Sequence, residues 1–416
     1  MKYLKALALL SLFATAANSF SYDVVDRYKL IDDKLKTEQM LRPIGHDFFL
    51  DIGAALNMNV RDFADDIKKA SVFQGTSTQK LTNAQGVLAK YDKTEQTVKI
   101  NVALGFPVFR FSIGNLKVQP NVRVFVDAGA NIGIRSETLT PAGILDLFNI
   151  SLPDELKSKI IATTYTVGQD LLLPICGSLT DPTAIAVCNA NIGKYFYPDP
   201  NVPDMFLFAK IDGRVGLYND YTYGEHFFGD WNIYGLSRTD VFQRVNSKMI
   251  ASGAKIELPK TKNTETTLVT DYRLGYKNDN YRVFASFEDL KLSKLKDRKI
   301  DSKEHSYGYD PLMRVHADAV YRFSAFSLAP FLGVHKRKGY GFSDGLYTGA
   351  DAGAHIWGDR IGLQLRGMVD KQYITISPRL KLWLLQLEYS VKSPLKSMDG
   401  DVKLSAIQSI DLRLFF

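Results

Sequence analysis

From residue 47 onward, apolar and polar side chains alternate in one segment after another. Val122, Val124, Val126, Ala128, Ala130, Ile132 and Ile134 interleave with Arg123, Asp127 and Asn131. Met313, Val315, Ala317, Ala319, Tyr321 and Phe323 interleave with Arg314, His316, Asp318 and Arg322. Ile361, Leu363, Leu365 and Val369 oppose Gln364 and Arg366, and Trp383, Leu385, Leu387, Tyr389 and Val391 oppose Gln386, Glu388 and Ser390. A period of two puts alternate side chains on opposite faces of a strand, so each segment predicts one apolar and one wet face. Similar patterns occupy 48–57, 96–106, 108–118, 205–218, 264–277, 281–291, 326–335 and 346–357. The last is "LSAIQSIDLRLFF": Leu404, Ala406, Ile410, Leu412, Leu414 and Phe416 share a side with Gln408, and Ser405, Ser409, Asp411 and Arg413 share the other.

Each run is about nine to fourteen residues long, enough to cross a bilayer at a tilt. A large soluble antiparallel sheet would alternate in the same way. The number of similar strands and the start of the chain favour a closed barrel, which satisfies every backbone group and leaves no edge. Residues 1–19, "MKYLKALALLSLFATAANS", have lysines, then an apolar run, then small residues, the order of a secretory leader. No later run of eighteen apolar residues predicts a transmembrane helix. Aromatics reach 12%, which suits girdles at a lipid interface. The net charge of +7 falls by the two leader lysines to +5, and both signs are interleaved, so the basic balance does not point to nucleic acid.

The expected fold is therefore all-β: a transmembrane antiparallel barrel of sixteen strands, or fourteen if two weak ones near 231–238 and 241–256 fail. Strands occupy 47–134 and 204–416. Placing Phe416 on the periplasmic side and counting back makes 392–403, 336–345 and 293–311 long outer loops, with short turns at Pro378–Lys381, Gly358-Asp359, Ser324-Ala325 and 277–280. Asp370-Lys371 is short where a long loop is expected. The same count puts residues 135–203 on the periplasmic side. Ile144, Leu147 and Phe148, then Ser151-Leu-Pro-Asp-Glu before Leu156, Ile160 and Ile161, predict helices there. Cys176 and Cys188 follow, and in an oxidising compartment a disulfide between them is expected, worth roughly 3 kcal/mol on the loop-entropy model. This helical insert is expected under the barrel or inside it as a plug. Residues 20–46 are helical in composition and periplasmic by the same count.

If the wet faces point inward, Arg273, Arg282, Glu288, Arg314, His316, Asp318, Arg322, Asp351, His355, Arg366, Glu388, Asp411 and Arg413 line the lumen, with Asp271 and Arg379. They either brace a closed interior by cross-strand ion pairs or set the selectivity of a water-filled pore. Gly341-Phe-Ser-Asp-Gly345 matches a nucleophile-elbow pattern, with His335 and His355 flanking it, so an esterase using Ser343 is the enzymatic alternative; the motif lies in a loop between strands, where that chemistry lacks its elbow. "YNDYTYGEHFFGDW", 218–231, reads as an outer aromatic loop whose Tyr218, Phe227, Phe228 and Trp231 belong to an interface girdle. The charged stretch 293–311 reads as a solvated outer loop able to touch lipopolysaccharide phosphates. No metal-ligand spacing and no phosphate cradle stands out, and no cofactor is expected.

A leader, alternating strands of membrane length and the ending Leu412-Arg-Leu-Phe-Phe416 together resemble Gram-negative outer-membrane β-barrels. In that class a terminal aromatic preceded by alternate apolar residues resembles the signal read by the barrel-assembly machinery, which here falls on Ile410, Leu412, Leu414 and Phe416, with Gln408 departing. Helical segments beside a barrel of about fourteen strands are similar to long-chain fatty-acid transporters and conjugation-associated outer-membrane proteins, although the Asn-Pro-Ala stretch expected near the mature N-terminus of the former is missing. The resemblance implies an outer-membrane channel or transporter for small solutes or apolar molecules. A non-conducting structural or surface-interaction barrel is the second expectation.

Overall fold

The computed structural model describes residues 23–41, 48–136, 144–145, 148, 151–197, 199, 201–253, 262–296, 306–356 and 361–415, without the side chains of His355 and Ile356. Fourteen strands form the wall: β1 (Phe49–Asn57), β2 (Glu95–Pro107), β3 (Leu116–Arg135), β4 (Asp204–Tyr223), β5 (Phe227–Val245), β6 (Asn263–Lys277), β7 (Tyr281–Lys296), β8 (Leu312–Ala319), β9 (Phe326–Lys336), β10 (Leu346–Ile356), β11 (Ile361–Asp370), β12 (Tyr373–Leu382), β13 (Leu385–Pro394) and β14 (Ile407–Phe415). Each pairs antiparallel with the next, and β14 returns to β1 with Phe415 opposite Phe49 and Ile407 opposite Asn57. No sheet edge is left, which is what lets strands stand in lipid.

The faces follow the sequence period. On β12, Thr375, Ser377 and Arg379 are buried while Ile374, Ile376 and Leu380 are exposed. Val126, Ile211, Val215, Leu274, Val315, Leu332, Leu363 and Ile410 continue the apolar exterior around the wall. So broad an exposed apolar surface would aggregate in water and is stable against lipid. Near the end of the barrel that carries Phe49 and Phe415, here termed the terminal end, Phe106, Phe109, Tyr223, Phe227, Tyr281, Phe323, Phe326 and Trp383 are exposed, as expected of an interface girdle.

Connections at the terminal end are tight. Gly114 and Gly224 turn their hairpins at φ of 58° and 60°, in the left-handed region that glycine enters without strain, and Asn278 Oδ1 accepts from the backbone amides of Asn280 and Tyr281 at 2.9 and 2.8 Å. Far-end connections carry the helices. Two expected strands merge into their neighbours, which sets the count at fourteen. Residues 108–118 are the β2–β3 hairpin, with Pro107 opposite Asn121 and Phe111 opposite Val118. Residues 231–245 belong to the single strand β5, followed by the short helix α6 (Ser247–Ala251). The stretch 218–231 is likewise no loop: it is the end of β4, a turn at the terminal end and the start of β5. Pro378 and Lys381 lie within β12, whose turn falls at Trp383, φ 50°.

Because 231–245 is one strand and not two, the count back from the terminal strand reverses the side of the insert. It follows β3, not a fourth strand, and therefore sits at the far end, opposite the terminal strand's last residues. The insert keeps its own core: Phe148, Leu152, Leu156 and Ile160 on and before α4 (Asp154–Ala162) pack with Leu171, Leu172, Ile175 and Ala184, the last on α5 (Pro182–Asn191). Cys176 and Cys188 are bonded, Cα–Cα 5.7 Å. None of these residues belongs to a strand, so the insert is a small stapled unit and not the plug. Glu155 joins its helices, accepting from the amides of Thr180 and Asp181 at 2.9 and 2.7 Å. These amide donors hold its carboxyl below the usual carboxylate range. Because the folded pKa is lowered, the stabilisation is present above the unfolded value of about 4.3 and disappears as pH falls through the folded one. Protection of the Thr180 and Asp181 amides, taken relative to the intrinsic exchange rate at each pH, is expected to fall on acidification below that range, and Glu155→Gln to abolish this pH dependence; equal protection profiles for the two proteins would dispose of this link.

The far end is also capped over its taller side. There α2 (Val60–Ser71), α3 (Ser77–Lys90) and α6 bury Phe63, Ala70, Ala84, Leu88 and Ile250 against Ile134, Met205 and Val245, the far ends of β3, β4 and β5.

Candidate functional site

The lumen is filled by a helix that buries charged as well as apolar residues. Helix α1 (Val24–Met40) starts at Asp23, whose side chain accepts from the amide of Val25 at 2.7 Å. Val24, Tyr28, Ile31 and Leu35 recur at helical spacing and pack on Phe206 and Phe208 of β4, Ala55 of β1, Tyr373 of β12 and Ile407 of β14. Yet Lys29, Asp32, Asp33, Lys34, Thr37 and Glu38 are buried as well. Their partners explain this. Arg27 bonds Glu95 of β2, Asp32 meets Lys99 of β2 and Lys210 of β4, Lys34 meets Asp370 of β11, Glu38 meets Lys392 of β13, and Thr37 accepts from Arg314 of β8. These strands stand on opposite sides of a closed wall, so a helix touching all of them lies inside it. The segment expected beneath the barrel is the plug. Its first turn is near the far mouth, where Arg27 reaches Glu95 and Asp399, and its last carbonyls, Glu38 O and Leu41 O, accept from Arg366 midway along β11.

Around the middle of the helix the charges interlock. Asp32 pairs with Lys36 at 2.8 Å and accepts from the hydroxyl of Tyr307 at 2.8 Å, besides meeting Lys99 and Lys210. Asp33 is held by Arg337 at 2.9 and 3.1 Å and by Tyr340 at 2.9 Å. Behind them Asp212 meets Lys210 at 3.0 Å and Arg238 at 2.8 Å, and Asp289 meets Arg337 at 3.0 Å. Buried charges survive only when paired in this way. Asp289 is there because of a bulge. The β6–β7 register shifts beside it, and its φ of 61° turns inward a residue that strict alternation would send to lipid. Two far-end loops close over the layer. Tyr307 is fully buried, with Lys210 Nζ 4.2 Å from its ring centre, so residues 306–311 fold over the lumen instead of lying in solvent, while 293–296 are the exposed end of β7 and residues 297–305 lie outside the described ones. Arg337 and Tyr340 bring in the loop after β9.

The plug separates two cavities. At the far mouth about 210 Å³ lies between Asp23, Asp26, Tyr340, Asp344 and Asp399. In the terminal half a chamber of about 640 Å³ is lined by Arg123, Arg273, Arg282, Arg322 and Arg379, with Asp220, Asp318 and Asp351, beneath Met40 and Leu41 of the plug.

The sequence-derived lumen residues fall into this frame. Arg314 bridges Glu288 and the plug; His316 is buried, its Nδ1 3.0 Å from the Tyr347 hydroxyl and its Nε2 3.1 Å from Asp318; Arg282 also bonds Asp318, at 2.8 Å. Arg273 meets Asp230 at 3.1 Å, Arg366 meets Asp351 at 2.8 Å, Arg379 meets Glu388 at 2.6 Å, and Arg413 meets Asp51 across the closing seam. Asp411 is buried on the same face, and Asp271 accepts from Tyr234 at 2.8 Å. The side chain of His355 and all of Phe416 lie outside the described residues. Ile410, Leu412 and Leu414 turn outward. Of the expected girdle, Phe227 and Trp231 are exposed, but Tyr218 is buried against Phe125 and Tyr234, and Phe228 lines the chamber: alternation divides the four between lipid and lumen. Ser343 Oγ is 3.4 Å from Lys371 Nζ, itself paired with Asp344 at 2.6 Å, while His335 turns its Nδ1 to Tyr340. Among the described residues no hydrogen bond joins Ser343 to a histidine.

The residues missed were those of the plug and its sockets. Lys210 and Asp212 sat in plain alternation with Ala209 and Ile211, so their inward face was readable; that Asp32 and Asp33 would meet them was not.

A closed wall, apolar outside and charged within, defines a transmembrane β-barrel of the outer-membrane class. No protein-family model matches the chain, and no curated protein matches it. Among solved structures it is similar to the transport unit of the autotransporter AIDA-I from Escherichia coli (7% identity, covering 95% of this chain and 99% of that one, TM-score 0.36). It is also similar to the Pseudomonas putida toluene transporter TodX (10%, 90% and 89%, TM-score 0.32) and to a Pseudomonas aeruginosa FadL homologue (8%, 77% and 68%, TM-score 0.29). At these scores the likeness adds nothing to the assignment, which rests on pairing and faces.

Proposed function

We propose that the protein is a gated channel of the outer membrane for small polar solutes, with helix α1 as its closure. Short connections at the terminal end and long ones at the far end favour the periplasm for the first and the cell exterior for the second. The observation that carries the reading is a helix inside the lumen whose buried charges meet charged sockets on the wall, with a polar chamber directly beneath it. Buried ion pairs roughly balance desolvation against attraction, so these pairs hold the plug less firmly than their number suggests, and the small apolar contacts of Val24, Val25, Tyr28, Ile31 and Leu35 add to them. The polar lining favours polar over apolar cargo. The expected partners are lipopolysaccharide around the far-end loops and the barrel-assembly machinery for β14.

The density of the pairs equally suits a second reading, a permanently closed scaffold. Planar-bilayer conductance separates the two. The full chain is expected to open briefly or not at all, and a chain lacking 24–41 to conduct steadily. Gln39→Cys with Asn101→Cys, a pair whose native side chains are 2.8 Å apart, is expected to lock the closed state when oxidised. A deletion variant that inserts with normal heat-modifiable migration and stays silent would establish the scaffold.

A further inference from the structure

We infer that the chamber beneath the plug is a binding site for small organic anions, with Arg322 as its specificity-determining residue. This rests on the transport reading and names the solute class.

Its lining holds five guanidinium groups and three carboxylates. The carboxylates are committed: Asp318 to Arg282 at 2.8 Å, Asp220 to Arg123 at 3.1 Å, Asp351 to Arg366 at 2.8 Å. Arg273 and Arg379 find theirs outside the lining, on Asp230 and Glu388. Arg322 is left over: it lines the chamber, is exposed to it, and has no ion pair or hydrogen bond among the described residues. The wall beside it is hollow. In register, Arg322 stands opposite Ser327, Ser327 opposite Gly353, Gly353 opposite Gln364, and Gln364 opposite Arg379. Four strand spacings make about 19 Å of wall, and its two ends are guanidinium groups while Ser327 and Gly353 leave the near part of the span low. A free guanidinium at the edge of such a recess offers paired donors matched to a carboxylate or phosphate. The plug does not oppose this. Its C-terminal end would repel an anion, but Arg366 already takes the carbonyls of Glu38 and Leu41.

The test is titration calorimetry of the full chain in detergent micelles with succinate, inorganic phosphate and, as the neutral probe, glucose. Saturable binding of succinate or phosphate and none of glucose is expected. Arg322→Gln should weaken it about tenfold or more, the loss of one charge-assisted contact, while Arg322→Lys retains part of it and Lys157→Gln, in the remote insert, leaves it unchanged. Because Arg322 holds no partner among the described residues, these variants should migrate as folded barrels. Absence of saturable anion binding, or binding indifferent to Arg322→Gln, overturns the site. Anion binding that depends on Arg322 in a protein silent in every bilayer test keeps the site and defeats transport; conduction without such binding does the reverse.

Discussion

Alanine in place of Asp32 is expected to unseat the plug while leaving the barrel intact. The Asp32 side chain has no exposure and compensates Lys36, Lys99 and Lys210 while accepting from Tyr307. Removing one partner from a buried ionic cluster costs about 3–5 kcal/mol, because the remaining charges stay desolvated. The lower figure applies here, since Lys99 keeps Asp127 at 3.2 Å and Lys210 keeps Asp212 at 3.0 Å, whereas Lys36 keeps no ion pair among the described residues. The loss falls on docking of the helix, not on the strand ladders, which Asp32 does not touch. About 3 kcal/mol corresponds to roughly two decades in the opening equilibrium. Hydrogen exchange over residues 24–40 should therefore accelerate about a hundredfold, with trypsin cleavage appearing at Lys29, Lys34 and Lys36 and the exchange of wall amides unaltered. Asp32→Asn, which keeps hydrogen-bonding atoms but no charge, should give an intermediate acceleration. Salt should change either result little, because the layer is not reached by solvent ions. A helix as protected in Asp32→Ala as in the parent would show that the ionic layer does not seat it.

That result would also mark where the sequence stops being legible. Most strands of the wall announced themselves, because a wall between lipid and a charged lumen enforces period two over its whole length, whereas β12 was hidden by Pro378, which reads as a turn. Strand number was less secure. Residues 108–118 alternate like a strand but contain Gly114, at which the chain turns back on itself, and the sharper turn signal lies inside the apparent strand. Reading 231–238 and 241–256 as two strands, where β5 runs unbroken, carried the disulfide-bearing insert to the wrong end, since each strand reverses the side of everything beyond it. The plug was harder for another reason. Helical composition in 20–46 was visible, but its partners Lys99, Lys210, Arg337, Asp370 and Lys392 are up to some 350 residues away, and charge complementarity at such separation has no signature in one sequence. Asp289 was hidden by its bulge, where the rule that revealed the other inward residues fails locally.

Arginine in place of Leu412 is expected to impair insertion more than any comparable change on the lumen face of the same strand. Leu412 stands opposite Ile52 of β1 and Leu387 of β13, so on both sides its outward neighbours are apolar, and it sits mid-strand at the seam that closes the barrel. A basic residue facing lipid near the midplane costs about 2–4 kcal/mol, falling to about 0–1 near an interface. One position away the same charge is native: Arg413 faces inward and pairs with Asp51. Gln408 supplies the internal comparison. It shares the outward face but lies one residue from the far end of β14, which explains why a polar side chain is tolerated in an otherwise apolar row. Gln408→Arg should therefore leave folding almost unchanged, while Leu412→Arg lowers the denaturant midpoint of the folded barrel and its heat-modifiable fraction. The difference between the two variants reads membrane depth along a single strand. Equal effects would mean that Leu412 does not face the hydrocarbon, and the assignment of the wall's outer face would have to be inverted.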